Sequence, residues 1–89
     1  MSLSRSDRQR TFQRNLGRAV RHLRKDHGLR QREVSRRSTL SVEYLSRLEN
    51  GRANPTVLTL MALIEDGMGD SLRRFCHKYM AGSAPSHPN

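Results

Sequence analysis

The stretch that most constrains the fold of this chain is residues 31–51, QREVSRRSTLSVEYLSRLENG. Its apolar spacing predicts two short amphipathic helices joined by a tight turn, the first from about Gln31 to Ser38 and the second from about Val42 to Asn50. Gly51 follows as a stop, because glycine readily adopts the left-handed conformation that ends many helices. We take this two-helix unit as the element around which the chain is organised.

The second helix of the unit is predicted to bury only one edge. Ser41 offers a side-chain oxygen to the unpaired N–H groups at the helix start, and Leu45 and Leu48 form a buried stripe at i, i+3. The remaining positions project elsewhere: Val42, Glu43, Tyr44, Ser46 and Arg47. A helix with one buried edge and a mixed polar face is suited to lie in a groove.

The net positive charge of the chain is concentrated in the part of the sequence that contains this unit. The formal net charge is +9 over 89 residues, with 14 Lys or Arg against 5 Asp or Glu in residues 1–54 and 3 against 3 in residues 55–89. This asymmetry favours a polyanionic partner for the first part of the chain, and the alternative is that the charge serves only solubility.

The totals also limit the class of protein. A chain of this length forms one domain with a small core. Since Cys76 is the only cysteine, neither an intrachain disulfide nor a cysteine metal cluster is expected, and no cofactor is predicted. The sequence has no apolar run of about 18 residues and no signal-peptide pattern, so we expect a cytoplasmic location and no membrane partner.

A long first helix is predicted before the unit, beginning at Ser6, which matches a capping box with Gln9, and stopping at Gly28. Its apolar stripe consists of Phe12, Leu16, Ala19, Val20 and Leu23. Another side carries Arg10, Arg14, Arg18, Arg21 and Lys25. This basic row is either a solvated face or a surface whose mutual repulsion a polyanion would relieve.

Two further helices are predicted after the unit. Asn54 and Pro55 suit the cap and first position of a helix that is apolar around much of its circumference, so we expect it to be buried centrally or on two sides. Asp70 is predicted to cap a last helix that ends at about Met80. The apolar stripe of this helix either covers the core or packs against the same stripe of a second subunit. We assign it to a homodimer interface formed by Leu72, Phe75, Cys76 and Tyr79. The domain is placed at residues 6–80, with disordered segments at residues 1–5 and 81–89.

Three motifs in this order resemble the phage-repressor-like helix-turn-helix regulators of bacteria, often called the Xre or Cro type. They are LGRAVRHLRKDHGL at residues 16–29, the two-helix unit itself, and ENGRANPT at residues 49–56. The resemblance implies an all-α fold, a compact five-helix bundle of the lambda-repressor-like DNA-binding type. It also implies that the third helix enters the major groove of double-stranded DNA.

The resemblance implies roles for individual residues. Base contacts fall to Ser41, Val42, Glu43 and Arg47, and phosphate contacts to Arg30, Gln31, Tyr44, Asn50 and Arg52. Arg24 resembles the family arginine that forms an internal ion pair with the glutamate matching Glu49. Thr39 stands where the turn usually has glycine and Ser38 where an apolar residue is common, which leaves room for a different local turn geometry.

The chemistry of the third helix allows partial expectations about the bases. Arg47 can donate two hydrogen bonds to guanine, Glu43 can accept one from cytosine, and Val42 can pack on a thymine methyl group. Two alternatives remain open. Glu43 can stabilise the helix start through the macrodipole without touching DNA, and Arg47 can bind a phosphate.

These features favour a sequence-specific, dimeric transcriptional regulator, such as a repressor, a restriction-modification controller or an antitoxin-like autoregulator. No second domain is evident, so no small-molecule effector is expected. The alternative, from a different class, is a protein-interaction adaptor or antitoxin-like partner-binding protein with the same fold, for which Glu43 is the only hint. An enzyme is not expected, because the histidines and Cys76 lack partners at catalytic or ligand spacing.

Overall fold

A computed structural model describes residues 4–80, and the predicted disordered segments therefore lie mostly outside the described residues. The described chain folds into five helices: α1 Arg5–Asp26, α2 Gln31–Ser38, α3 Val42–Glu49, α4 Val57–Met61 and α5 Leu72–Phe75. A π-helical turn, Ala62–Gly67, continues α4, and another, Cys76–Met80, continues α5. The predicted all-α, five-helix architecture is confirmed. None of the helices within residues 4–80 is long and apolar enough to cross a membrane.

One hydrophobic core joins all five helices. α1 packs against α3, and α2 packs against the turn Ala62–Gly67. The largest side chains that are under 2% exposed are Phe75, Leu23, Leu45, Leu48, Leu63, Ile64, Val20 and Val34. The two-helix unit therefore packs against α1 through α3 and against the turn Ala62–Gly67 through α2.

α1 begins and ends with side-chain and glycine caps. Ser4 is extended and its Oγ accepts a hydrogen bond from the Asp7 N–H at 3.1 Å, so the helix starts at Arg5 and the predicted cap at Ser6 is wrong. Ser6 already lies inside the first turn, and the Asp7 carboxylate there is favoured by the helix dipole. At the other end, Gly28 has φ 67° and the predicted glycine stop is confirmed.

The apolar stripe of α1 is buried only in its second half. Leu16, Ala19, Val20 and Leu23 are at most 6% exposed, whereas Phe12 is 56% exposed. Phe12, the first member of the predicted apolar stripe, therefore lies outside the core. No residue of α1 before Leu16 belongs to the core.

α4 is exposed on one side, contrary to the expectation of burial on two sides. Val57 and Leu58 are 64% and 76% exposed, while Leu63 and Ile64 in the turn that continues α4 are fully buried. The helix also starts later than predicted, because the Thr56 hydroxyl accepts from the Thr59 N–H at 3.1 Å and takes the capping role expected of Asn54. Pro55, predicted at the first helical position, therefore lies before the helix.

The cap of α5 is Ser71, whose Oγ accepts from the Arg74 N–H at 3.0 Å, so the predicted cap at Asp70 is wrong. Asp70 is instead held by tertiary contacts: its Oδ2 lies 2.9 Å from Nε2 of His27 and also accepts from the Arg74 guanidinium. A carboxylate already paired with two side chains leaves the cap to the neighbouring hydroxyl.

Candidate nucleic-acid interface

The turn between α2 and α3 takes the conformation that glycine usually supplies. Thr39 has φ 63° and ψ 9°, a left-handed conformation that costs a non-glycine residue about 1–2 kcal/mol. Nearby hydroxyls satisfy the backbone: Ser38 Oγ donates to the Val34 carbonyl at 2.7 Å, and the Ser35 hydroxyl donates to the Leu40 carbonyl. The alternative of a different local turn is therefore wrong, and Thr39 keeps the left-handed geometry.

α3 is fixed at its start and along one edge. The Ser41 Oγ accepts from the Tyr44 N–H at 3.0 Å, and Leu45 and Leu48 are at most 1% exposed. The side chains assigned to base edges are all exposed: Ser41, Val42, Glu43 and Arg47. Of these, Ser41 is already committed as a helix cap, so the other three have the greater freedom to contact a ligand.

Arg47 is the one base-contact candidate with an oriented head group. Its guanidinium carbon lies 5.6 Å from the centroid of the Tyr44 ring, within the range of a cation–π interaction. A guanidinium stacked on a ring presents its N–H donors at its edge. The half-buried Tyr44 therefore acts as a platform that limits where Arg47 points.

Four of the five residues assigned to phosphates fall into two groups, and the fifth is Tyr44, the half-buried ring beside Arg47. Arg30 and Arg52 are exposed, whereas two side-chain amides already donate within the protein. Gln31 Nε2 donates to Glu49 Oε1 at 3.1 Å, and Asn50 Nδ2 donates to the Ser46 carbonyl at 2.9 Å. A phosphate at either amide must share or replace these hydrogen bonds.

Arg24 and Glu49 form a bidentate ion pair between α1 and α3. Arg24 Nε lies 2.7 Å from Glu49 Oε2, and Arg24 Nη2 donates to Glu49 Oε1 at 2.9 Å. Arg24 Nη1 also donates to the Leu29 carbonyl at 3.0 Å. The two side chains are 12% and 4% exposed. With Gln31 as a further donor to Glu49, this pair links α1, α2 and α3 just behind the exposed face of α3.

Sequence reasoning missed Gly17, which sets the distance between α1 and α3. A Cβ placed there would lie 2.3 Å from the Leu48 carbonyl oxygen and 2.8 Å from that of Glu49, so only glycine fits. The available signal was a glycine in the middle of a strongly periodic helix, a position where glycine costs about 1 kcal/mol against alanine and usually has a packing reason.

The basic row of α1 lies beside the end of α3. Arg14, Arg18 and Arg21 line a hollow of about 230 Å³ together with Glu49 and Asn50. Asn50 is the C-cap residue of α3. The basic row therefore lies next to the C-terminal end of α3.

The C-terminal stripe is only partly accessible to a second subunit. Phe75 is 1% exposed and its ring stacks on Tyr79 with centroids 5.9 Å apart, so the assignment of Phe75 to a dimer interface is wrong. Leu72 and Tyr79 are half-buried against the same core, and only Cys76 is exposed. The alternative that this stripe covers the core thus accounts for Phe75.

Two titratable groups bind α5 to the end of α1. The Tyr79 hydroxyl donates to the Asp26 carboxylate, and that hydrogen bond raises the pKa of Tyr79 above its usual value. The hydrogen bond from His27 holds the pKa of Asp70 below the usual value. Both contacts lie at the C-terminal end of α1, far along the helix from Arg10 and Arg14.

Comparison with known proteins agrees with this geometry. An uncharacterised transcriptional regulator of the helix-turn-helix type, y4dJ from Sinorhizobium fredii, is 56% identical over 43 residues, which are 48% of this chain and 56% of that protein. The helix-turn-helix regulator DdrOP3 from Deinococcus deserti is 46% identical over 44 residues, 49% of this chain and 34% of that protein. The chain thus spans about half or less of these curated relatives.

Two solved structures match the fold over most of the chain. Both are crystal structures of the clp gene regulator ClgR from Corynebacterium glutamicum, each 30% identical to this chain. One has a TM-score of 0.71 and the match covers 81% of this chain and 91% of that one; the other has 0.72, with 80% and 74%. The family model described as helix-turn-helix matches residues 20–65. The chain therefore belongs to the helix-turn-helix family, of the phage-repressor or Xre type.

Proposed function

We propose that this protein is a sequence-specific, double-stranded DNA-binding transcriptional regulator that places α3 in the major groove. The observation that carries the proposal is the division of α3, with Leu45 and Leu48 buried and Val42, Glu43 and Arg47 exposed beside a basic surface. The curated relatives are named as transcriptional regulators and the structural relative as a gene regulator, which supports the same function.

Arg47 is the residue with the clearest base-contact chemistry. An arginine in the major groove donates two hydrogen bonds to O6 and N7 of guanine. Because the Tyr44 ring limits the positions of the guanidinium, less side-chain entropy is lost when those hydrogen bonds form. Glu43 and Val42, one turn earlier, complete the face with an acceptor for cytosine and an apolar contact for a thymine methyl group.

The phosphate contacts would frame this face on both sides. Arg30 at the start of α2 and Arg52 after α3 are exposed cations, and Gln31 and Asn50 lie next to them. If about six phosphates are neutralised by a pair of subunits, the logarithm of the affinity falls with the logarithm of the salt concentration with a slope of about −5. A flat salt response would exclude this mode of binding.

A homodimer is part of the proposal, and the exposed side of α4 is the surface that favours it. Val57, Leu58 and Met61 are 64%, 76% and 37% exposed. They lie in residues 53–64, which contain no charged side chain. Two molecules that each carry a net charge of +9 repel each other least where they present an uncharged apolar face. Leu72, Cys76 and Tyr79 remain proposed contributors, without Phe75.

Selection of bound duplexes from a random DNA pool tests the function directly. The wild-type protein should enrich a palindromic motif whose half-sites are about 34 Å apart, one turn of B-DNA. Arg47→Ala should lower the affinity and relax preference at one base pair by roughly 1–3 kcal/mol. Equal loss on the selected motif and on random DNA would show that Arg47 contacts a phosphate and not a base.

Sedimentation measurements test the dimer separately. Leu58→Glu should weaken self-association, because it places a charge in the proposed apolar interface. Phe12→Glu is the matched control, since Phe12 is also an exposed apolar residue, at 56%, but lies on α1. Unchanged association in Leu58→Glu would remove α4 from the interface and would leave Leu72, Cys76 and Tyr79 as its proposed contributors.

A further inference from the structure

Three members of the basic row of α1, Arg14, Arg18 and Arg21, form no ion pair with another described residue. All three side chains are exposed. The acidic residues of α1 itself are used elsewhere: Asp7 pairs with Arg10, and Asp26 accepts from the Tyr79 hydroxyl. Like charges at i, i+4 repel and destabilise a helix. The row therefore reduces the stability of α1 unless an anion binds there.

The position of the row relative to α3 is fixed by close packing. Arg14 lies against Gly51, where an added Cβ would come within 2.9 Å of the Arg14 side chain. Gln13 Nε2 also donates to the Ala53 carbonyl at 3.0 Å, so the first half of α1 is attached to the segment that follows α3. The row is thus held rigidly beside Asn50 and close to Arg52, two proposed phosphate contacts.

The hollow beside the three arginines leaves their charges accessible to a ligand. The hollow of about 230 Å³ between the three arginines and the end of α3 is open to solvent and is bordered by Asn50. Its one acidic neighbour, Glu49, is already paired with Arg24 at 2.7 Å and is 4% exposed. At 1.5 Å per residue, Arg14 and Arg21 are about 10 Å apart along the helix, which is about three phosphate spacings of one strand measured along the axis of B-DNA.

We propose that Arg14, Arg18 and Arg21 form a second phosphate-binding surface, which holds the DNA backbone flanking the base pairs contacted by α3. The inference rests on the proposed DNA-binding function and extends the bound site beyond the two-helix unit. It assigns no base preference to α1, because exposed arginines that follow the backbone contribute affinity and not sequence selection. We therefore favour a row that binds a DNA strand over a row that is only a solvated face of α1.

The test compares two variants with the same net charge. Arg14→Gln/Arg18→Gln removes two charges from the row, and Arg73→Gln/Lys78→Gln removes two from α5 and its continuation. Glutamine is nearly as good a helix former as arginine, so both variants should fold, and thermal unfolding checks this. Each protein is titrated with the duplex selected by the wild type, either limited to the bound motif or extended by about ten base pairs on each side.

The wild type should bind the extended duplex more tightly than the short one, and the α1 variant should lose that gain. On the extended duplex, the slope of log affinity against log salt concentration should also become less steep by about 2 per subunit in the α1 variant. The α5 control should keep the wild-type slope and the gain from extension. Equal behaviour of the two variants, or no gain from extension in the wild type, would overturn the inference while leaving the function intact. If Arg47→Ala and the wild type both fail to prefer any duplex, the proposed function itself is wrong.

Discussion

Gly17→Ala is the sharpest test of how α1 and α3 are held together. Local helix propensity predicts that the change stabilises the protein, because alanine is favoured over glycine by about 1 kcal/mol inside a helix. Packing predicts the opposite, since the new Cβ would lie 2.3 Å from the Leu48 carbonyl oxygen and 2.9 Å from the Glu49 carbonyl carbon. The sign of the effect therefore decides between the two.

We expect packing to win. Overpacking costs about 1–3 kcal/mol, and the upper end applies here because the obstructing atoms belong to the backbone and cannot rotate away. After the gain in helix propensity, the net loss in the free energy of unfolding is about 2 kcal/mol. For a domain of this size that corresponds to a decrease in Tm on the order of 10 °C. The displacement would also reach Glu49 and through it the pair with Arg24.

Thermal and urea unfolding of Gly17→Ala and Gly67→Ala would measure the effect. Gly67 is the matched control, because an added Cβ there would lie 2.9 Å from a side-chain carbon of Val34 and 3.4 Å from the nearest backbone oxygen, against 2.3 Å at Gly17. We expect Gly67→Ala to lose less stability than Gly17→Ala. A Tm for Gly17→Ala at or above that of the wild type would refute the close approach of α1 to α3.

Three further predictions follow from the same structure. Arg24→Met should destabilise the fold by about 3–5 kcal/mol, because it leaves the buried Glu49 carboxylate without its cation, and adding Glu49→Met should recover much of the loss in a double-mutant cycle by urea unfolding. The hydrogen bond from His27 lowers the pKa of Asp70, so the ionised Asp70 stabilises the folded state fully above the unfolded pKa near 3.8, and this stabilisation is lost as pH falls through the lower folded pKa. Asp70→Asn should therefore make the free energy of unfolding depend less on pH in acid, and an unchanged pH profile would contradict this. Thr39→Gly should raise stability by about 0.5–1 kcal/mol, because relief of the left-handed strain exceeds the entropy cost of glycine. A lower Tm would show that the Thr39 side chain stabilises the turn by more than its left-handed strain costs.

The helix caps show where local sequence is insufficient. At each of three helix starts, two residues with suitable chemistry lie within two positions of each other, and the sequence favoured the wrong one: Ser6 for Ser4, Asn54 for Thr56, and Asp70 for Ser71. Short-range patterns cannot rank such neighbours. At Asp70 the choice depended on His27, 43 residues away in sequence.

The two-helix unit was predictable because its local signals agree with its tertiary role. α2 has the predicted bounds, α3 ends one residue before the predicted Asn50, and the stripe of Leu45 and Leu48 is buried as expected. Apolar composition alone did not show which side of α4 would be covered, because the uncovered side carries Val57 and Leu58. That uncovered side is the surface now proposed for a second copy of the chain.

The contacts that set the position of α3 make the two proposed DNA-binding surfaces one rigid body. Gly17 allows the close approach of α1 and α3, the Arg24–Glu49 pair links the two helices, and Gly51 packs against Arg14. A change in any of these contacts should therefore move the basic row and the face of Arg47 relative to each other. It follows that Gly17→Ala should weaken binding to an extended duplex by more than its loss of folding stability accounts for, even though Gly17 is buried and touches no DNA.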